Sequence, residues 1–260
     1  MKKRLGLLFA VVALLLCGCL SRTEPVETTQ PSSHTAVTLP PETTRPVTEE
    51  SEITPTETET TETPSVETQP ILPPDLENED FVRITDVIPN AREALAYATE
   101  DNFTGVKIYD FTDAYLRYGT LLKLRSAAIQ LEILGYGIVI WDAYRPVYAQ
   151  ERLWDAYPNA AYVSPPGTGT QSHCRGCAVD LTLYDLETGE LLEMPTGFDD
   201  FSGYADRDYS DVSEEAAANA RVLEEIMAEW GFKPYKAEWW HFTDTDSYEI
   251  EYEFDPAMPQ

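Results

Sequence analysis

The residues of this chain that could do chemistry concentrate in two short stretches. One is Ser172-His173-Cys174-Arg175-Gly176-Cys177-Ala178-Val179-Asp180, the other Glu238-Trp239-Trp240-His241. Apart from His34, these hold the only histidines of the chain. Two imidazoles and one carboxylate (His173, His241 and Asp180) form a common catalytic zinc set, with a fourth position left for water. Zinc brings the pKa of such a water down to about 7, so hydroxide becomes available at neutral pH. The attacking water still needs a base, and Glu238, three residues before His241, is the candidate. Residues three apart on a regular strand face opposite sides, so Glu238 and His241 can share a site only across a tight or helical turn. His173 is expected on the loop that leads into the strand bearing Asp180. The same residue types also suit an ordinary interior, with histidines bonded to carbonyls and carboxylates on an acidic surface. Spacing alone leaves both readings open.

The elements that must position these groups can be read from periodicity. Leu121, Leu124, Ala128 and Leu131 share one helical face and Gly135 supplies a stop, which predicts a helix over about 118–134. The apolar run 136–141 reads as a buried strand. Pro146 suits the first position of a helix reaching about Tyr157. Residues 164–171 read as a loop, and 90–98 as a short helix. From Cys177 to Leu183 apolar and polar residues alternate, so Val179, Leu181 and Leu183 point one way and Asp180 the other. Ser213-Glu214-Glu215 caps a helix whose buried stripe is Leu223, Ile226, Met227 and Trp230, ended by Gly231. Tyr248, Ile250, Tyr252 and Phe254 alternate with acids as in a final strand. Long helices mixed with short strands, without a regular βαβ repeat, indicate an α+β fold.

Composition divides the chain into three parts. Met1-Lys2-Lys3-Arg4 and an apolar run to Leu16 have the form of an export signal, too short to span a bilayer. Leu16-Cys17-Gly18-Cys19 resembles a bacterial lipobox, which implies a lipid on Cys19 and makes 1–19 the signal peptide; an ordinary secretory signal is the other reading. Residues 20–75 are dominated by Thr, Pro, Glu and Ser with no apolar period. Such a composition buries too little surface to offset its ordering entropy, so a disordered stalk is expected. Residues 76–260 are then one globular domain. The whole chain carries 18 basic and 46 acidic residues. Five basic and eleven acidic residues precede position 76, which leaves 13 against 35 in the domain and a formal charge of −22. That field repels nucleic acid, and a nucleic-acid partner is excluded on this ground.

The motifs carry a specific resemblance. Ser172-His173-x-x-Gly176-x-Ala178-x-Asp180, followed by Glu238-x-x-His241, resembles the signature of the bacterial zinc D-Ala-D-Ala peptidases. Asp101-Asn102-Phe103-Thr104-Gly105, Asp142-Ala143-Tyr144-Arg145-Pro146, Asp180-Leu181-Thr182-Leu183, Thr196-Gly197-Phe198-Asp199 and Glu238-Trp239-Trp240-His241 resemble, in order, its dipeptidase subgroup of the vancomycin-resistance type. The resemblance spans about residues 80–250. It implies a small antiparallel sheet carrying the zinc site and flanked by helices, as in the D-Ala-D-Ala peptidase and Hedgehog-like folds. It implies one zinc ion on His173, Asp180 and His241, Glu238 as catalytic base and Arg145 as the cation beside the oxyanion. It further implies that an Asp near 199, with Asp200 adjacent, receives the ammonium of a small D,D-dipeptide, and that Tyr97 lines the pocket.

Two features depart from that pattern. Small polar residues usually stand where this chain has Cys174 and Cys177, and outside the cytoplasm such a pair is expected to close a disulfide; a redox pair or extra thiolate ligands is the other reading. The vancomycin-type enzyme works on a cytoplasmic pool, whereas the N-terminus here implies an extracytoplasmic, lipid-anchored protein at the cell membrane. Besides dipeptide hydrolysis, a D,D-carboxypeptidase acting on peptidoglycan stem peptides, a non-catalytic zinc-containing cell-wall-binding lipoprotein and a thiol redox lipoprotein remain as alternatives.

Overall fold

The computed structural model describes Pro73 and residues 75–258. The expected signal, Cys19 and most of the expected stalk lie outside the described residues. Two sheets form. β1 (Phe81–Arg83) pairs antiparallel with β3 (Tyr115–Arg117). The larger sheet has the order β2-β4-β5-β7-β6, from β2 (Arg92–Glu93), β4 (Tyr136–Asp142), β5 (Ala178–Asp185), β6 (Phe232–Pro234) and β7 (His241–Asp244). Every neighbouring pair in it is antiparallel except β2 with β4. The expected α+β class therefore holds, with one parallel pairing at the edge of an otherwise antiparallel sheet. Residues 90–98, expected as a helix, supply that edge strand and a 3-10 turn at Ala96–Ala98. The amide of Ala94 donates to Ile140 O at 2.9 Å, so sheet pairing overrides local helix preference there.

Helix α1 (Ile84–Val87) is a single turn. Helices α2 (Tyr118–Ile133) and α4 (Glu214–Glu229) pack on one another, with α2 against β4 and α4 against β6. α2 buries Leu121, Leu124, Ala128 and Leu131 as periodicity requires, and Gly135 follows it at φ 87°, where a side chain would be strained. In α4 the Ser213 hydroxyl accepts from Ala216 N at 3.0 Å, capping the first turn. Trp230, expected in its buried stripe, instead follows the helix and is 39% exposed, with Nε1 donating to Gln130 on α2. α3 (Val147–Ala156) starts one residue after Pro146.

Ile138, Ile140, Val179, Leu181, Leu183 and Phe242 join the helix residues in one core. Ile138 pairs with Leu183 and Ile140 with Leu181, so these side chains share the helix-covered face. Asp180 and Thr182 stand on the opposite face and are also buried. The alternation in β5 thus marks a site face, and no part of it a solvent face.

The final expected strand does not form. Tyr248 to Phe254 runs without strand structure; Glu251 N donates to Cys174 O at 3.0 Å, and other backbone groups go to side chains. Arg175 donates to Tyr248 O, Arg117 to Glu249 O, and the Glu251 carboxylate accepts from the amides of residues 252–254. Among the described residues no helix is long and apolar enough to cross a membrane.

Candidate active site

Sheet register builds the centre of the site. Asp180 on β5 lies directly opposite His241 on β7, so the two side chains project from the same face. A bulge between Ile140 and Asp142 shifts the β4 register so that Asp142 comes opposite Asp180. Without it Asp142 would share the helix-covered face of Ile140; the extra residue turns it to the site face. His173 arrives from a 3-10 turn, His173–Arg175, just before β5. Gly176 closes that turn at φ 71°, and a Cβ there would also press into the Phe81 ring. The turn is tied to the chain after β4, because Arg145 N donates to His173 O at 3.2 Å and His173 Nδ1 donates to Ala143 O at 2.7 Å.

His173, Asp180 and His241 bring one ligand atom each to within 4.8 Å of the others. His173 Nε2 stands 3.3 Å from His241 Nδ1 and 3.4 Å from Asp180 Oδ2, and His241 Nδ1 stands 2.8 Å from Asp180 Oδ1. Tetrahedral zinc with bonds of about 2.0–2.1 Å separates its ligand atoms by roughly 3.4 Å. Because Ala143 O can only accept, His173 carries a proton on Nδ1, and Nε2 is the nitrogen it turns to the cluster. His241 Nε2 lies 3.0 Å from the Thr243 hydroxyl, which orients that ring. The donor set therefore fits a divalent metal. Burial alone would push the Asp180 carboxyl up, but the two imidazoles hold it well below the usual carboxylate range.

Glu238 reaches this cluster through the turn its spacing requires. The β6–β7 connection folds as consecutive turns, with Glu238 N donating to Tyr235 O and His241 N to Glu238 O, both at 3.3 Å. Glu238 lines the same cavity, of about 320 Å³, as His173, Asp180, His241, Arg145 and Asp199. Burial pushes its carboxyl up, and the charge of Asp180 adds to this. Arg145 is held through Nε and Nη2 by Asp142, whose other oxygen accepts from Tyr109 and from Ala143 N. The Tyr97 ring lies under its guanidinium, 5.2 Å from centroid to Cζ. Sequence reasoning gave Asp142 no role, although it opens the Asp-Ala-Tyr-Arg-Pro segment; the bulge that aims it leaves no local sequence signature.

Asp199, and not the exposed Asp200, faces the cavity, and Tyr97 Oη donates to Asp199 Oδ2 at 2.8 Å. Its backbone is left-handed, at φ 55°. Burial, with the nearby charges of Asp180 and Glu238, pushes its carboxyl up to about 8 against the pull of the Tyr97 hydroxyl. A folded pKa above the unfolded value means that the folded state holds the extra proton between about pH 4 and 8. Stability attributable to this group therefore falls as pH rises through that window. Asp199→Asn should raise the melting temperature of the metal-free domain at pH 8 by an amount equivalent to several kcal/mol, with little difference at pH 4. Parallel melts of the two proteins across that range check it; a gap independent of pH would contradict the shifted carboxyl.

Cys174 and Cys177 are two free buried thiols, which corrects the expected disulfide. The left-handed Gly176 reverses the chain between them, and Cys177 Sγ turns to Ser172 O at 3.5 Å. Cys174 lines the cavity, burial pushes both thiols up to about 11, and neither belongs to the group whose ligand atoms converge.

The family model of the M15 peptidases described as D-ala-D-ala dipeptidase matches residues 77–255. The chain belongs to this family of zinc peptidases. Proteins named D-alanyl-D-alanine dipeptidase are 36% identical in Escherichia coli (strain K12), over 64% of this chain and 85% of that one, and 37% identical in Streptomyces coelicolor, over 63% and 91%. The Enterococcus faecalis protein of the same name is 35% identical over 62% and 90%. Among solved structures, a vancomycin-resistance D,D-pentapeptidase in complex with Zn(II) aligns over 51% of this chain and 74% of its own, at 15% identity and a TM-score of 0.34.

Proposed function

We propose that the domain hydrolyses the D-alanyl-D-alanine dipeptide, with one zinc ion on His173, Asp180 and His241. The observation that carries this reading is the convergence of those three side chains with Glu238, Arg145 and Asp199 on a single cavity. Zinc bound there supplies a Lewis acid and a water that ionises near neutral pH. Glu238 takes the proton of the attacking water and delivers it to the leaving amine, so that water's hydroxyl ends on the new carboxylate and its proton on the released amino group. A carboxylate with a raised pKa suits both halves of that transfer. Arg145 offers guanidinium N–H groups to the oxyanion that develops as the carbonyl is attacked, in a cavity where a fixed cation is worth several kcal/mol. Asp199, braced by Tyr97, receives the substrate ammonium. Asp180, Asp199 and Glu238 are the acids of this cavity against Arg145, and the positive charge of a bound ammonium favours release of the Asp199 proton.

Free D-Ala-D-Ala, a stem pentapeptide and L,D-dipeptides assayed with and without chelator test the reading. Chelator-sensitive cleavage of the free dipeptide, at least ten times faster than that of the pentapeptide, is expected. Cleavage of the longer substrate alone would make the protein a D,D-carboxypeptidase, and stoichiometric zinc without hydrolysis would make it a binding protein. The lipobox-like Leu16-Cys17-Gly18-Cys19 supports placing this activity outside the cytoplasm on a lipid anchor. Incorporation of labelled fatty acid that is lost in Cys19→Ser is the expected result; labelling that persists in the variant argues against the anchor.

A further inference from the structure

Arg145 is gripped from two sides, and the second grip has consequences of its own. Asp142 and Tyr109 engage the Nε edge. On the other side Nη1 donates to Gln150 Oε1 at 2.8 Å, and Gln150 Nε2 donates to Ser164 O at 2.8 Å. Gln150 is 6% exposed and sits on the first turns of α3, where its amide donates to Pro146 O. Its two polar ends are therefore fixed in orientation: only the oxygen can meet the guanidinium, and only the NH2 can meet the carbonyl. Ser164 belongs to the segment of residues 160–171 that lines the cavity wall. A guanidinium has five N–H bonds. With Nε and one N–H of Nη2 on Asp142 and one N–H of Nη1 on Gln150, one N–H remains on each terminal nitrogen.

The geometry points to Gln150 as the positioning residue that sets the plane of the Arg145 guanidinium and ties it to the cavity wall at Ser164. Asp142 alone grips one edge and leaves rotation about that edge unopposed. Gln150 holds the opposite nitrogen, so the two remaining N–H bonds aim together. This rests on the proposed role of Arg145 at the oxyanion. A contact realised in the transition state and misaimed by a fraction of an ångström costs turnover and spares ground-state binding.

Gln150→Met removes both hydrogen bonds at nearly constant volume. The expected result is a kcat lower by roughly 10- to 100-fold, KM within about threefold of wild type, and unchanged zinc content. In an Arg145→Lys background the same change should lose less than about threefold, because its effect is already gone. Gln150→Glu keeps the acceptor for Arg145 and should hold kcat nearer wild type than Gln150→Met. An equal loss in both backgrounds, or a Gln150→Met enzyme with wild-type kcat, overturns the inference. NMR of the Arg145 terminal nitrogens decides it without turnover: resolved Nη signals in wild type should collapse by rotation in Gln150→Met, and persistence of the resolved signals counts against it. Absence of any D,D-dipeptide cleavage by wild type would defeat the proposed reaction and leave that NMR result to decide the role of Gln150.

Discussion

Replacing Glu238 with Ala should reduce kcat on D-Ala-D-Ala by about 10³-fold or more while the protein keeps one equivalent of zinc. General acid–base catalysis by a positioned side chain contributes about 10²–10⁴-fold, and here one carboxylate serves both the attack and the departure of the amine. Glu238 is near the cluster but outside the group whose ligand atoms converge, so its loss should leave the metal set intact. Burial raises the cost of holding Glu238 ionised, so Glu238→Ala should melt no lower than wild type. Single-turnover rates and metal analysis on the same preparation check this. A variant with more than a tenth of wild-type kcat removes Glu238 from the base role.

His173→Ala should lose the metal and with it the activity. His173 is 9% exposed and fixed by Ala143 O, so truncation leaves two ligands of three and an orphaned carbonyl. Changing an outer partner of a metal ligand already costs about 10–100-fold in affinity, and loss of the ligand itself should exceed 100-fold. A ligand present at about 1,000 times its Kd stabilises the folded state by about 4 kcal/mol. Zinc should therefore raise the melting temperature of wild type by several degrees and leave that of His173→Ala unmoved at the same concentration. Equal zinc-dependent shifts in the two proteins would place the metal elsewhere.

The chain itself made much of the domain legible. α2 follows from its buried helical stripe, β4 from a continuous apolar run, β5 from alternation and the cap of α4 from Ser213, because each signal lies within one continuous stretch. Errors arose where backbone groups find distant partners. Residues 92–93 become an edge strand because β4 offers a free edge, and 248–254 stays irregular because Arg117, Arg175 and the carbonyl of Cys174 take up its backbone groups. Neither contact is coded in the segment's own alternation.

The kinds of residue at the site, and their grouping in two stretches, were determined by the sequence alone. Two histidines, an aspartate between them in the chain and a glutamate three residues before the second histidine supply the groups for a metal-and-base chemistry without bringing them together. Tertiary structure decided which faces meet. Register across β5 and β7 sets His241 opposite Asp180, a bulge in β4 turns Asp142 inward to hold Arg145, and the turn closed by Gly176 holds as free thiols two cysteines that the sequence had suggested joining. Side-chain direction in a sheet alternates every residue, so a single inserted or mispaired position reverses it. That choice is made by contacts between strands about 40 to 60 residues apart, which no local pattern records.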